Sequence, residues 1–239
     1  MNTRNITDIG SEAYVPQLAL MFYKNEFRNR YYIESLDIDH NGMPVNAHPL
    51  TSQEIDNLVR TLTVSAHFKN SFLIPEGLLP ANVLHLNALN GFAIWYTPES
   101  SMQLYFQEGL GINNGVASVP AMVWKAYKDE LYVYALRENN KPDAETTLCY
   151  APFFNISQNG KVCMGTVDID KEPKSLEQFI NDWQNYFFNS YFSHLLGGYN
   201  PVNGNIVQLW QKLSGSGYPF PKKELKVNNL TVQELIDEY

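Results

Sequence analysis

The chain has 239 residues carrying 25 acidic and 17 basic side chains, a net charge of −8. That balance argues against a general nucleic-acid surface, because phosphates would meet repulsion rather than neutralisation. The length suffices for one large domain, or one domain with an N-terminal elaboration, around a substantial core; no stretch approaches the roughly 18 uninterrupted apolar residues that cross a bilayer. An aromatic content of 13% points to a sheet-rich aromatic core rather than to disorder.

Residues 1–14 lack periodicity and read as a loose leader, polar rather than signal-like. With only Cys149 and Cys163 in the chain and no paired-cysteine framework, reduced thiols and a cytoplasmic location are expected, although a Cys149–Cys163 disulfide stays geometrically conceivable. Residues 18–23 and 31–38 are β-prone runs that pair as strands, the second ended by the turn sequence Asp39-His40-Asn41-Gly42. Thr51 and Glu54 have capping-box spacing, and Ile55, Leu58, Val59 and Leu62 continue at helical intervals, predicting a helix over about 52–64.

The middle of the chain reads as an antiparallel meander of runs 83–86, 92–96, 102–106, 119–127 and 131–136, separated by Gly, Pro, Asn and Asp, with a hairpin bend at Tyr127 to Glu130. Residues 138–147 are polar and hold Pro142, so they form a loop feeding the second cysteine. Ser175 and Gln178 repeat the capping-box spacing, and Phe179, Ile180, Trp183, Phe187 and Phe188 place bulky groups at helical intervals, predicting a helix to His194 with Gly197-Gly198 as its stop. A further helix is expected over 205–213, with Ile206, Leu209, Trp210 and Leu213 on one side, and a short terminal one from Thr231.

The segment around Cys163 carries the chemistry. Asn159-Gly160 supplies a residue pair suited to the φ > 0 conformations of a sharp turn, which presents Cys163 at its edge. A cysteine on a short, partly exposed segment can act as a nucleophile through its thiolate, and the Asn155 carboxamide, eight residues earlier, can donate to a developing oxyanion. A free thiol with a pKa near 8.5 is only a few per cent thiolate near neutrality, and no adjacent base is evident.

This order of asparagine, turn, Asn-Gly and cysteine resembles the active-site segment of ubiquitin-conjugating enzymes, which have His-Pro-Asn, a short loop and the acceptor cysteine eight residues after the asparagine. Phe153-Phe154 stand where that family has His-Pro, and Pro152 is one position early. A wider resemblance, carried by residues 151–155, 160–165, Trp183 and 186–194 and extending over about 15–220, is to the bacterial family PRTRC system protein B, a prokaryotic ubiquitin-conjugating-like group. It implies an α+β fold in which a UBC-like antiparallel β-meander is flanked by helices and preceded by a strand-strand-helix extension. The expected organisation is a leader over 1–14, the extension over 15–80, a UBC-like domain over 81–220 carrying the cysteine loop, and a C-terminal tail with a short helix over 221–239.

The resemblance also implies that Cys163 accepts a ubiquitin-like modifier as a thioester and passes it to an amine. The implied partners are the modifier, a ThiF-like activating enzyme and, in the same cassette, a JAB-type metalloprotease and a ParB-related protein; no cofactor is implied. The rival from another class is a binding module that keeps the fold to dock modifier or activating enzyme without catalysis. His194, at the end of the aromatic helix, is the third catalytic candidate, as a base. Each site residue also has a plainer structural role: Asn155 can shape the loop, His194 can serve a helix C-terminus or a core hydrogen bond, and Asp168 and Asp170, candidates to orient or deprotonate an amine, can be a solvated turn. Cys149 reads as structural. His40, His48, His67, His85 and His194 show no metal-binding spacing, and the glycine-rich stretch 109–115 lacks the Gly-Lys-Ser/Thr ending of a phosphate loop.

Overall fold

The β-prone runs expected over 18–23 and 31–38 pair in a small antiparallel sheet. The computed structural model describes residues 15–25, 30–69, 71–170 and 173–238, and these fall into two compact units, one ending at Ser65 and one beginning at Ala66. In the first, β1 (Leu18–Asn25), β2 (Arg30–Ile38) and β3 (Pro44–Pro49) lie in the order β1-β2-β3. The Asp39 carboxylate closes the expected turn by accepting the Asn41 and Met43 N–H groups at 2.9 and 2.8 Å. The third strand was not expected: prolines at both its ends argue against a strand by propensity, yet an edge position tolerates a missing N–H.

Helix α1 (Ser52–Lys69) opens on the anticipated capping box. The Thr51 N–H donates to Glu54 Oε2 at 2.8 Å and the Glu54 N–H donates to Thr51 Oγ1 at 3.3 Å. Ser35 Oγ, on β2, donates to Glu54 Oε1 at 2.7 Å. Hydrogen bonds from the Thr51 side chain and backbone, joined by Ser35, hold the Glu54 carboxyl down at about 2.

The second unit has the expected α+β, antiparallel character. Strands β4 (Val83–Asn87), β5 (Phe92–Thr97), β6 (Ser100–Phe106), β7 (Gly115–Val119), β8 (Met122–Ala126), β9 (Leu131–Ala135) and β10 (Thr147–Tyr150) are followed by helix α2 (Leu176–Phe188), strand β11 (Tyr191–Phe192), helix α3 (Ile206–Leu213), strand β12 (Val227–Thr231) and helix α4 (Val232–Asp237). One sheet runs β12-β10-β9-β8-β5-β4 and a smaller one runs β11-β6-β7.

Strand alternation sends side chains to both faces of the larger sheet, and both faces are apolar. Trp95 and Trp124 are paired in register and stack at 6.1 Å, and Phe187 of α2 meets Trp124 edge-on at 5.3 Å. The alternate residues Phe92, Ile94 and Val123 face a second cluster closed by Val232 and Leu235 of α4. Buried Lys125 secures that helix: its ammonium donates to the Leu235 and Glu238 carbonyls at 2.8 and 2.6 Å and lies 4.8 Å from the Phe92 ring centroid.

Three sequence expectations change. The run 119–127 is two strands, because Pro120 has no N–H for a continuous ladder, and the chain passes there from the smaller sheet to the larger. The helix expected to reach His194 stops at Phe188, after which Tyr191 and Phe192 pair in parallel with Tyr105 and Phe106. The polar loop gives way at Thr147 to β10, which pairs with β9 and with β12. No helix among the described residues is long and apolar enough to cross a membrane.

Candidate functional site

The cysteine loop is built on the hairpin of β8 and β9. Val162 N–H donates to the Leu131 carbonyl at 2.8 Å and Val133 N–H to the Gly160 carbonyl at 3.0 Å, so residues 160–162 lie along the edge of β9. The reversal is sharp: Gly160 N–H donates to the Ser157 carbonyl at 2.9 Å, with Gly160 at φ 83°. Ser157 Oγ reinforces it through Asn159 Oδ1 and the Lys161 carbonyl. Tyr134 fixes the tip from below by donating to the Asn159 carbonyl at 2.7 Å, and a Cβ at position 160 would lie 2.5 Å from that ring. Burial pushes the Tyr134 phenol well above its ordinary pKa, so it stays a donor. Lys161 pairs with Glu130, a hydrogen bond that draws the Glu130 pKa down and raises that of Lys161.

Asn155 is the hub that brings the three expected site residues together. Its backbone is left-handed at φ 61°, a conformation asparagine tolerates better than most side chains. The Asn155 carbonyl accepts the Cys163 N–H at 2.8 Å, and the Asn155 N–H donates to the His194 carbonyl at 2.9 Å. Its carboxamide grips the 191–194 segment: Nδ2 donates to the Tyr191 carbonyl at 2.8 Å, while Oδ1 accepts from Ser193 N–H at 3.1 Å, Ser193 Oγ at 2.7 Å and His194 N–H at 3.3 Å. One Nδ2 hydrogen is left outside these bonds.

The network also sets a histidine tautomer. Asn155 Oδ1 can only accept, so Ser193 Oγ spends its one proton there. The 2.8 Å contact between Ser193 Oγ and His194 Nδ1 is therefore a donation from Nδ1–H. In neutral His194, Nε2 is then the lone-pair nitrogen. His194 is solvent-exposed, as is Cys163.

Phe153 and Phe154, at the positions where ubiquitin-conjugating enzymes have His-Pro, are buried anchors. Phe153 stacks on Trp210 at 5.2 Å and on Phe192 at 5.3 Å and meets Phe187 edge-on at 5.2 Å. Phe154 meets Phe106 edge-on at 6.4 Å. Trp210 Nε1 donates to the Pro152 carbonyl at 2.7 Å, tying α3 to the start of the loop. A histidine-proline pair shapes a loop by polar contacts and a fixed φ; here aromatic packing holds the same stretch.

The remaining candidates sit apart from this hub. Asp168 and Asp170 are exposed beyond the cysteine, and the Asp170 N–H donates to the Tyr186 hydroxyl at 3.0 Å. Cys149 is buried in β10, where burial raises its thiol pKa above the ordinary value. Both cysteines are free thiols. Two contributors to the loop's geometry were not legible as such in the sequence. Ser193 was visible beside His194 but had no motif, and Tyr134 acts on a turn far along the chain with no local signal at all.

The family model described as prokaryotic E2 family D matches residues 55–227, which contain the meander, the cysteine loop and helices α2 and α3. No curated protein and no solved structure is significantly similar to the chain. With most of its length matched, including the Asn155–Cys163 loop that the geometry singles out, the chain belongs to prokaryotic E2 family D.

Proposed function

We propose that the protein is a divergent bacterial conjugating enzyme that carries an activated ubiquitin-like modifier as a thioester on Cys163, within a PRTRC cassette. The observation that carries this reading is the exposed cysteine whose backbone is bonded to an asparagine clamped on a second segment. In the loading step the Cys163 thiolate attacks the thioester carbonyl held by a ThiF-like activating enzyme, and that enzyme's thiolate leaves. In the transfer step an amine attacks the Cys163 thioester, the Cys163 thiolate leaves, and the amine proton passes to His194 Nε2 or to water. The free Nδ2 hydrogen of Asn155 is the donor for the intervening oxyanion. A JAB-type metalloprotease and a ParB-related protein complete the cassette.

Incubation with the cassette's activating enzyme, modifier and ATP should give an adduct that a thiol reductant removes, because thiol exchange cleaves a thioester and leaves an isopeptide intact. Cys149→Ala should keep the adduct and Cys163→Ala should lose it; the reverse pattern, or an adduct that resists reductant, refutes the assignment. The second reading, a docking module without catalysis, draws on the Asn155 carboxamide being committed to the 191–194 backbone. Single-turnover discharge to free lysine separates the two. Loss of one oxyanion donor costs about 2.7–4 kcal/mol, so under the enzymatic reading Asn155→Ala charges but discharges far more slowly. Equal discharge rates would reduce Asn155 to a loop-shaping residue, and a wild type that never charges would leave only the docking module.

A further inference from the structure

Helix α3 has two neighbours. Its Trp210 packs against Pro152 and Phe153, at the start of the cysteine loop. The helix also borders a groove of about 370 Å³ closed by residues 218–224, a volume within the usual range of pockets that take side chains and small ligands. Leu209, Pro219 and Pro221 form an apolar floor, and Lys212, Lys223 and Tyr218 border it. Lys212, Lys223 and Tyr218 are all exposed.

The groove is a built feature. Asn203 Nδ2 donates to the Lys223 carbonyl at 2.8 Å, and the Gly204 N–H donates to Glu224 Oε2 at 2.9 Å. A Cβ on Gly204 would approach that carboxylate oxygen to 2.7 Å, so a larger residue there would displace the Glu224 side chain from its bond. Phe220 is buried against Trp210 at 6.0 Å, which pins the middle of the strap to α3.

The charged side chains that line this groove are Lys212, Lys223 and Glu224. The molecule carries −8 overall, yet no aspartate or glutamate occurs between Asp182 and Glu224. The first carboxylate after that gap, Glu224, is turned onto the Gly204 backbone. Lys222 pairs with Glu99 at 3.5 Å, whereas neither Lys212 nor Lys223 forms an ion pair with a described residue. Two uncommitted ammonium groups beside a proline-lined apolar floor favour a ligand with carboxylates on either side of an apolar group.

We propose that this groove docks an extended acidic peptide segment of a partner protein, with an apolar side chain on the Leu209–Pro219–Pro221 floor and flanking carboxylates on Lys212 and Lys223. The proposal is independent of the thioester chemistry, since no residue lining the groove belongs to the cysteine loop.

Fluorescence anisotropy on the full chain tests it, with a short fluorescein-labelled peptide alternating aspartate with leucine and phenylalanine as probe. A second peptide with asparagine for each aspartate and a single-stranded oligonucleotide serve as competitors. The acidic peptide should bind and weaken as salt rises, and the double variant Lys212→Glu, Lys223→Glu should bind it about tenfold or more weakly. Tyr218→Ser, at an exposed position that leaves the core untouched, should also weaken binding while the thermal midpoint stays put. Absence of binding, equal binding by the lysine variant, or stronger competition by the neutral peptide or the oligonucleotide each overturns the proposal.

Discussion

Two glycines near the cysteine show how one turn can be demanded twice over. Gly160 and Gly165 both have positive φ, 83° and 57°, but a Cβ at 165 meets nothing within 4 Å while one at 160 meets the Tyr134 ring. That ring cannot swing aside cheaply, because it is buried and its hydroxyl is bonded to Asn159. Gly165→Ala should therefore cost about 1 kcal/mol from backbone strain alone, and Gly160→Ala about 2–4 kcal/mol as overpacking adds to strain. Urea unfolding of the two variants measures the difference, and equal costs would mean that Tyr134 yields. Asn159-Gly160 was legible as a turn from its own residues. Its dependence on Tyr134 was not, because a hydrogen bond between distant positions leaves no mark in local sequence. Likewise Asn155 and Cys163 were legible by spacing, whereas the grip on Ser193 and His194 needed the end of α2 to be placed first.

At the scale of elements, the sequence signals that worked were caps and periodic apolar faces. Ser175 caps α2 and Thr51 caps α1 as their spacing foretold, and Trp183, Phe179 and Phe187 are buried on one face. What misled was the continuation of aromatic spacing past Phe188. Tyr191 and Phe192 suit a helix face equally well, and only the edge of β6, distant in sequence, turns them into a strand. Four-residue β10 was hidden for a similar reason, since its pairing with β12 lies in tertiary structure. The cap of α1 also has a measurable pH signature. The Glu54 carboxyl is held at about 2 by Thr51 and Ser35, below the roughly 4.3 of an unfolded glutamate. A depressed carboxylate stabilises the fold above the unfolded pKa and loses that contribution as pH falls through the folded one. Glu54→Gln should accordingly weaken the start of α1 near neutrality and flatten its response to acid between about pH 5 and pH 2. Amide exchange at the first turn of α1 reads this directly; an unchanged acid response would mean that Glu54 is not the group responsible.

At the scale of the molecule, apolar burial is divided very unequally. Every buried hydrophobic residue among those described lies from Phe72 onward, gathered on the two faces of the larger sheet, while the buried residue of the first unit is Ser35. The first unit instead shows exposed apolar side chains, Phe22 and Tyr31 among them. A three-stranded sheet with one helix, and with no buried apolar side chain among its described residues, has little to set against the entropy of ordering its chain. The larger unit has four buried tryptophans and a network of ring contacts, of the kind that gives cooperative unfolding. A chain beginning at Ala66 should therefore keep a single sharp thermal transition and the near-ultraviolet signal of its tryptophans. A chain ending at Ser65 should show neither a sharp transition nor strong amide protection. Calorimetry and hydrogen exchange on the two fragments decide the matter. If the larger fragment melts broadly or precipitates while the full chain unfolds sharply, its core depends on residues before Ala66, and the division of burial is not the division of stability.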